Sequence, residues 1–232
     1  MRLLSELTDW EKMFKVMVWK QLGEINGRKI LDFGSGQGIT ANHFAENNDV
    51  VAVELSNEML NNAWTDFQYK QIIGDVSALA QFEDSSFDMI ICHNVLEYID
   101  DKKQVIRELT RVLKTGGTAS IVKHNRAGRV MQMAVLLDDM MQANNLLDGK
   151  NSTASKFGSI RYYEDADIHK WSEELKLIDT FGIRTFWDLQ QNQDKHSMED
   201  WQEKMVQLEE RVSIIKEYKE IAFFHHLIFT KE

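Results

Sequence analysis

The sequence predicts an α/β fold: a mostly parallel, seven-stranded sheet with helices on both faces and a small helical cap. Two observations carry this. Apolar runs at Lys29 to Phe33, Asp49 to Ser56, Tyr69 to Val76 and Phe87 to His93 alternate with stretches of helical periodicity, as strands buried on both faces of a parallel sheet do. The first run also enters a glycine-rich turn, Gly34-Ser35-Gly36-Gln37-Gly38, and a helix-forming segment, Ile39 to Glu46, follows. A strand, a tight turn and a helix start in that order present backbone N–H groups to a cleft.

Composition narrows the classes. With 232 residues, 43% of them hydrophobic and 28% charged, the chain can bury one large core. No apolar run is long enough to cross a bilayer, and acidic Glu6 follows the N-terminus too closely for a signal peptide, so a cytoplasmic location without membrane contact is expected. Cys92 is the one cysteine, which excludes an intrachain disulfide and a cysteine-rich metal site; no metal is expected. A net charge of −10 argues against a broad grip on nucleic acid, although a local basic patch stays possible. Proline is absent, and no physical reason for that is evident.

The N-terminal segment places Leu3, Leu7, Trp10, Phe14, Met17, Val18 and Leu22 at helical spacing, predicting an amphipathic helix or helix pair. Trp10 and Lys15 are candidates for the wall of a ligand site, with core packing the alternative for Trp10. In the turn, glycine permits backbone conformations closed to residues with a Cβ and lets a ligand approach the main chain. The spacing is G-x-G-x-G, with Ile39 where the dinucleotide fingerprint carries its third glycine, which disfavours a nicotinamide cofactor. With Asp32 two residues before Gly34, the segment resembles motif I of the class I S-adenosylmethionine (SAM) methyltransferases.

Later strand ends extend the pattern. Glu54 closes the second strand about 20 residues past the glycines, where a carboxylate accepts from ribose hydroxyls; a solvated acid opening the helix at Ser56 is the alternative. Gly74-Asp75 closes the third, so that Asp75 and the Val76 N–H can read an adenine. The fourth ends at His93-Asn94, and Gly116-Gly117 turn into a fifth, Thr118 to His124, as in the same family. Cofactor-binding candidates are therefore Asp32, Gly34, Ser35, Gly36, Glu54, Leu55, Asp75, Val76, His93 and Asn94. Beyond them the sequence predicts a methionine-rich helix from Asn125 to Leu147, a mobile lid or plain loop from Gly149 to Phe157, and a helix from Asp165 to Leu175. A sixth strand within Leu177 to Leu189, a charged helix from Ser197 to Ile215 and a last strand from Ile221 to Phe229 complete one domain. Its parts are an N-terminal helical lid (1–27), a SAM-binding core (28–124), a helical cap (125–175) and C-terminal strands and helix (176–232).

Four segments press the resemblance further: His93 to Tyr98, Asn125 to Gly128, Gly182 to Asp188 and Leu208 to Arg211 are similar to the bacterial tRNA 5-carboxymethoxyuridine methyltransferase family. That likeness implies transfer of a methyl group from SAM, leaving S-adenosylhomocysteine, to the carboxylate of a modified wobble uridine. This chain departs from the family at Tyr162-Tyr163, where the family has Tyr-Pro, and at Phe14-Lys15, where the family has an arginine. An ionised carboxylate needs a positioned cation rather than a base, so Arg184 is the first candidate clamp and Arg126 the second. Arg184 could instead be a structural partner of Asp188, and a hydroxyl or amine acceptor would make His93 or His124 the base. Residues 150–232 hold 12 Lys+Arg against 16 Asp+Glu, so tRNA would have to be gripped by a local cluster, Lys123, His124, Arg126, Arg129 and Arg161. A small-molecule methyltransferase and a non-catalytic SAM-binding protein are the alternatives, and the oligomeric state is open.

Overall fold

The computed structural model describes residues 4–154 and 158–232. Its strands are β1 (Lys29–Phe33), β2 (Asp49–Glu54), β3 (Lys70–Ile73), β4 (Phe87–His93), β5 (Leu113–His124), β6 (Ser152–Ala154), β7 (Gly158–Ile160), β8 (Leu175–Ile183) and β9 (Phe224–Lys231). The α-helices are α1 (Asp9–Leu22), α2 (Ile39–Ala45), α3 (Asn57–Asn61), α4 (Lys102–Val112), α5 (Arg126–Met131), α6 (Met140–Leu147), α7 (Asp165–Trp171), α8 (Glu199–Val212) and α9 (Lys216–Lys219). Seven strands form one sheet in the order β3-β2-β1-β4-β5-β9-β8. The first five are parallel, and β9 runs antiparallel between β5 and β8.

Chain order reverses between β1 and β4, so the loops after those strands diverge and leave a crevice at the carboxyl edge. Each sheet face is sealed by its own cluster. Leu31, Val51, Val53, Ile90 and Cys92 pack with Val105, Ile106 and Leu109 of α4 and Ile168 of α7. On the other face, Ile30, Val50, Ala52, Met89 and Ile91 pack with Ala41 and Phe44 of α2. Helix α1 extends that second face, its Met13, Phe14, Met17 and Val18 lying against Val122, Ile183 and Phe224. Cys92 is a buried strand residue.

Three expectations are corrected. The methionine-rich segment is two helices: α5 runs into a π-helical turn, Gln132–Leu136, and the chain then breaks before α6. Asp138 adopts φ 51 there, and the Asp139 side chain accepts from Gln142 N to cap α6. Second, Ser152–Ala154 is not a loop, since it pairs antiparallel with Gly158–Ile160. Residues 155–157 of the expected lid, like Leu3 of the expected N-terminal helix, lie outside the described residues. Third, the last strand starts at Phe224 rather than Ile221, because Ile221 N and Ala222 N are used in turn bonds to Tyr218 O and Lys219 O. Among the described residues, no helix is long and apolar enough to cross a membrane.

Candidate active site

At the carboxyl edge, all three glycines of the turn after β1 are left-handed, with φ of 72° at Gly34, 57° at Gly36 and 66° at Gly38. A Cβ on Gly34 would overlap Val95 Cγ2 and lie 3.0 Å from Val95 Cγ1. The turn is thus seated against the loop that leaves β4. Glu54 holds it from the other side: Oε2 accepts from Gly36 N and Oε1 from Ser56 N, each at 2.8 Å. Every carboxylate oxygen has more than one acceptor direction, so Glu54 can hold the turn and still accept from a ligand.

Four buried polar atoms here have no hydrogen-bond partner among the described residues: Asp32 Oδ2, Ser35 Oγ, His93 Nδ1 and Asn94 Oδ1. Buried polar atoms are normally paired, and four orphans at adjacent strand ends mark a place where a polar ligand completes the bonding. Asp32 is 3% exposed, and burial pushes its carboxyl up to about 6, against the pull of the nearby Lys15 ammonium. Lys15 reaches down from α1 to donate to Thr40 Oγ1 at 2.7 Å, which places a cation above the turn. Leu55 and Ile73, at neighbouring strand ends, are exposed large hydrophobics, the apolar walls a flat ring system needs. Asp75 accepts from Ser77 N at 2.9 Å and is itself exposed.

His93 ends β4 and its ring is held by a chain of hydrogen bonds. Gln21 Nε2 donates to Gly182 O at 3.1 Å, which turns Gln21 Oε1 toward His226 Nδ1 at 2.8 Å. His226 must then donate from Nδ1 and accept at Nε2 from Ser120 Oγ, 2.8 Å away. Ser120 in turn accepts from His93 Nε2 at 2.7 Å. The order of donors leaves His93 Nδ1 as a bare acceptor. Burial also holds His93 well below the usual histidine range and His226 down to about 3, so both rings are neutral near pH 7. Because the chain ends on a buried carbonyl, it offers a proton no way out, and His93 fits an orienting acceptor better than a recycled base.

The edge continues over β5, β9 and β8. Arg184 follows β8 at φ 62 and is 7% exposed, its guanidinium paired with Asp188 and packed on the rings of Phe223 (4.9 Å), Trp10 (5.3 Å) and Phe224 (5.4 Å). A left-handed non-glycine residue costs energy that its surroundings must supply. Here the source is Glu209 of α8, whose Oε2 accepts from Thr185 N at 2.8 Å and whose Oε1 accepts from Phe186 N at 2.7 Å and Trp187 N at 2.9 Å. Asn94, after β4, is also left-handed, with φ 56. Glu97 is fully buried, with Oε1 accepting from His124 N at 2.6 Å, and burial raises its carboxyl to about 7.

The structure corrects two readings of the cations. Arg126 is engaged within the fold: its Nη1 donates to Leu146 O at 3.2 Å and Lys150 O at 2.9 Å, fastening α5 to the end of α6. Nor do Lys123, His124, Arg126, Arg129 and Arg161 form one solvent-facing patch. Lys123 is buried against Asp165 at 2.8 Å, Arg161 pairs with Asp100, and burial pushes His124 down to about 3. Arg184 does stand on the expected edge, but as the structural partner of Asp188. Sequence reasoning assigned no role to Glu209, Gln21, Ser120 or His226. Glu209 lies in a segment that carried the resemblance, and its acidic side chain in a strongly charged helix left no mark of burial.

Residues 31–121 match the family described as Methyltransferase domain. The chain is 25% identical, over 94% of its length and 87% of the relative's, to the tRNA 5-carboxymethoxyuridine methyltransferase of Escherichia coli K12. It is 30% identical to the ubiquinone biosynthesis O-methyltransferase of Paracidovorax citrulli, over 50% of this chain and 51% of that one. Among solved structures, an S-adenosylmethionine-dependent methyltransferase from Mesorhizobium loti superposes with a TM-score of 0.59 at 15% identity, covering 99% of this chain and 100% of that one. The matched segment carries the glycine turn and the strand ends that leave polar atoms unpaired, and the seven-stranded sheet around it shares the fold of the methyltransferase structures: together these findings support a class I SAM-dependent methyltransferase.

Proposed function

We propose that this methyltransferase transfers the methyl group of SAM to the carboxylate of a 5-carboxymethoxyuridine-type nucleoside in tRNA, acting in the cytoplasm. The observation that carries the reading is the likeness to the E. coli enzyme of that name, which extends through the cap and the C-terminal strands rather than stopping at the shared core. The residues at the carboxyl edge fit the cofactor. Asp32 Oδ2 and Ser35 Oγ would take its amino acid end with Lys15 nearby for the carboxylate, Glu54 the ribose hydroxyls, and Asp75 with Val76 N the adenine between Leu55 and Ile73. When bound, SAM supplies an electrophilic methyl group on a sulfonium.

This chain's own contribution is alignment and the exclusion of water. A carboxylate acceptor is ionised at neutral pH, so no proton has to leave and the neutral His93 ring is adequate as an orienting group. Charge is lost as the nucleophile and the sulfonium react, which a buried, partly apolar site favours over water. Two left-handed residues, Asn94 and Arg184, flank the region where the acceptor would lie. Such strain at the carboxyl edge of a sheet is characteristic of sites held in one geometry for function.

A second reading is a small carboxylate acceptor without tRNA. It is favoured by the dispersal of the basic cluster into internal ion pairs, which leaves few cations for phosphates. The deciding experiment is transfer of labelled methyl from SAM to tRNA carrying 5-carboxymethoxyuridine, with tRNA carrying 5-methoxyuridine as the control. Label in the first and not the second, recovered as the nucleoside methyl ester, is the expected result. Absence of label in both removes the tRNA reading.

A further inference from the structure

Outside the cofactor cleft, the most unusual feature is a pair of arginines sharing one aromatic ring. The guanidinium groups of Arg129, from α5, and Arg184, after β8, lie 5.7 Å and 4.9 Å from the Phe223 ring centroid. Asp188 is the carboxylate between them, paired directly with Arg184 and reached from Arg129 only through Gln132, whose Nε2 donates to Asp188 Oδ1 at 3.2 Å. Glu209 lies behind the turn with its oxygens directed at three backbone N–H groups, and His124 is neutral. Two cations thus face one anion in a largely buried space, which is costly unless another anion joins them.

Unpaired atoms agree. Arg129 Nε and Arg184 Nε are buried donors without an acceptor among the described residues, while Asp188 Oδ2, Thr185 Oγ1 and His124 Nδ1 are also unpaired. Arg184 is enclosed by three rings and bound to Asp188. Arg129 is half-buried, its Nη1 bound to Gln132 and its buried Nε unpaired, and burial, with Arg184 beside it, lowers its pKa. The pair sits next to His124 at the end of β5, one strand from His93, and Asn94 N binds Val122 O at 2.8 Å to tie the two strand ends together.

We propose that Arg129, backed by the Arg184–Asp188 pair, is the group that binds the anionic end of the methyl acceptor, a carboxylate. The assignment rests on the carboxylate-acceptor reading given above, and it moves the clamp from Arg184 and Arg126 to a residue neither motif contains. Arg184 and Asp188 are positioning residues that hold the charge and shape of the subsite. Arg129 supplies the unpaired Nε donor, and Tyr162, Tyr98 and His124 lie near it.

The test is a titration of the full chain, saturated with S-adenosylhomocysteine, followed through its arginine Nε–H resonances by NMR. Methoxyacetate is the probe, and the uncharged methoxyacetamide is its control. The expected result is a saturable shift of the Arg129 Nε–H signal with methoxyacetate alone. In Arg129→Gln, methoxyacetate binding should weaken roughly tenfold or more, with the affinity for S-adenosylhomocysteine unchanged. An Arg129 signal indifferent to methoxyacetate, equal shifts with the amide, or undiminished binding by Arg129→Gln would each overturn the proposal. Methoxyacetate binding at Arg129 by a protein that leaves tRNA unlabelled supports the subsite and removes only the tRNA substrate.

Discussion

Gly34→Ala is expected to weaken binding of S-adenosylhomocysteine roughly 30-fold or more, since a left-handed non-glycine residue and an overpacked contact together cost about 2–5 kcal/mol. Two physical terms act at this one residue. Its φ of 72° lies where L side chains are disfavoured, and the added Cβ would overlap Val95, the residue that follows Asn94. Relieving the overlap displaces either the glycine turn or the loop after β4, and both border the proposed cofactor site. Gly27→Ala separates the terms: Gly27 has φ 65, but a Cβ there meets nothing within 4 Å. It should lower stability by about 1–2 kcal/mol and leave ligand affinity unchanged. Calorimetric titration of the two variants against wild type checks both statements. Equal affinities for all three proteins would mean that the turn does not carry the cofactor.

Glu209→Ala should have the largest effect on stability, about 3–5 kcal/mol in urea unfolding, the range seen when a buried charged partner is removed and its neighbours are left unpaired. The side chain is fully buried and accepts from three successive backbone N–H groups, at Thr185, Phe186 and Trp187. Alanine leaves all three donors in an apolar surrounding and removes what holds Arg184 in its left-handed conformation. Glu209→Gln keeps one acceptor oxygen and turns an amide toward the remaining donors, so its loss should be smaller. An alanine variant as stable as wild type would show that water replaces the carboxylate and that the turn needs no anchor.

The two halves of the site differ in how far the sequence reveals them. The proposed cofactor side is made of turns that directly follow strands, and each group sits within a few residues of an apolar run. Asp32, Gly34, Glu54 and Asp75 could therefore be named from spacing, and the structure places each at the carboxyl edge of the sheet. The proposed acceptor side is assembled from segments far apart in the chain. Gln132 meets Asp188 across 56 residues, and Ser120 meets His226 across 106, so no local pattern announces either contact. The basic cluster misled because charge alone does not show which cations find internal partners, as Lys123 does with Asp165.

The break in the methionine-rich segment was hidden for another reason. Apolar spacing continues through Leu137, so periodicity masks the break between α5 and α6, although Asp138 and Asp139 are residues suited to a left-handed turn and a helix cap. In the hairpin of β6 and β7, serine, threonine and lysine read as loop composition, and strand pairing overrides that weak preference.

In the proposed site, the crevice between β1 and β4 holds the cofactor with its amino group at Asp32. The most direct measurement is the pH dependence of S-adenosylhomocysteine binding, by calorimetry from pH 5 to 7.5 in two buffers of different ionisation enthalpy. Burial sets the Asp32 carboxyl at about 6 in the free protein, and an ammonium partner would lower it. Binding should then be tightest and flat above pH 6, weaken toward tenfold per unit below it, and release a proton in that lower range. An affinity and a proton count that stay constant across pH 6 would contradict the placement of Asp32 in the site.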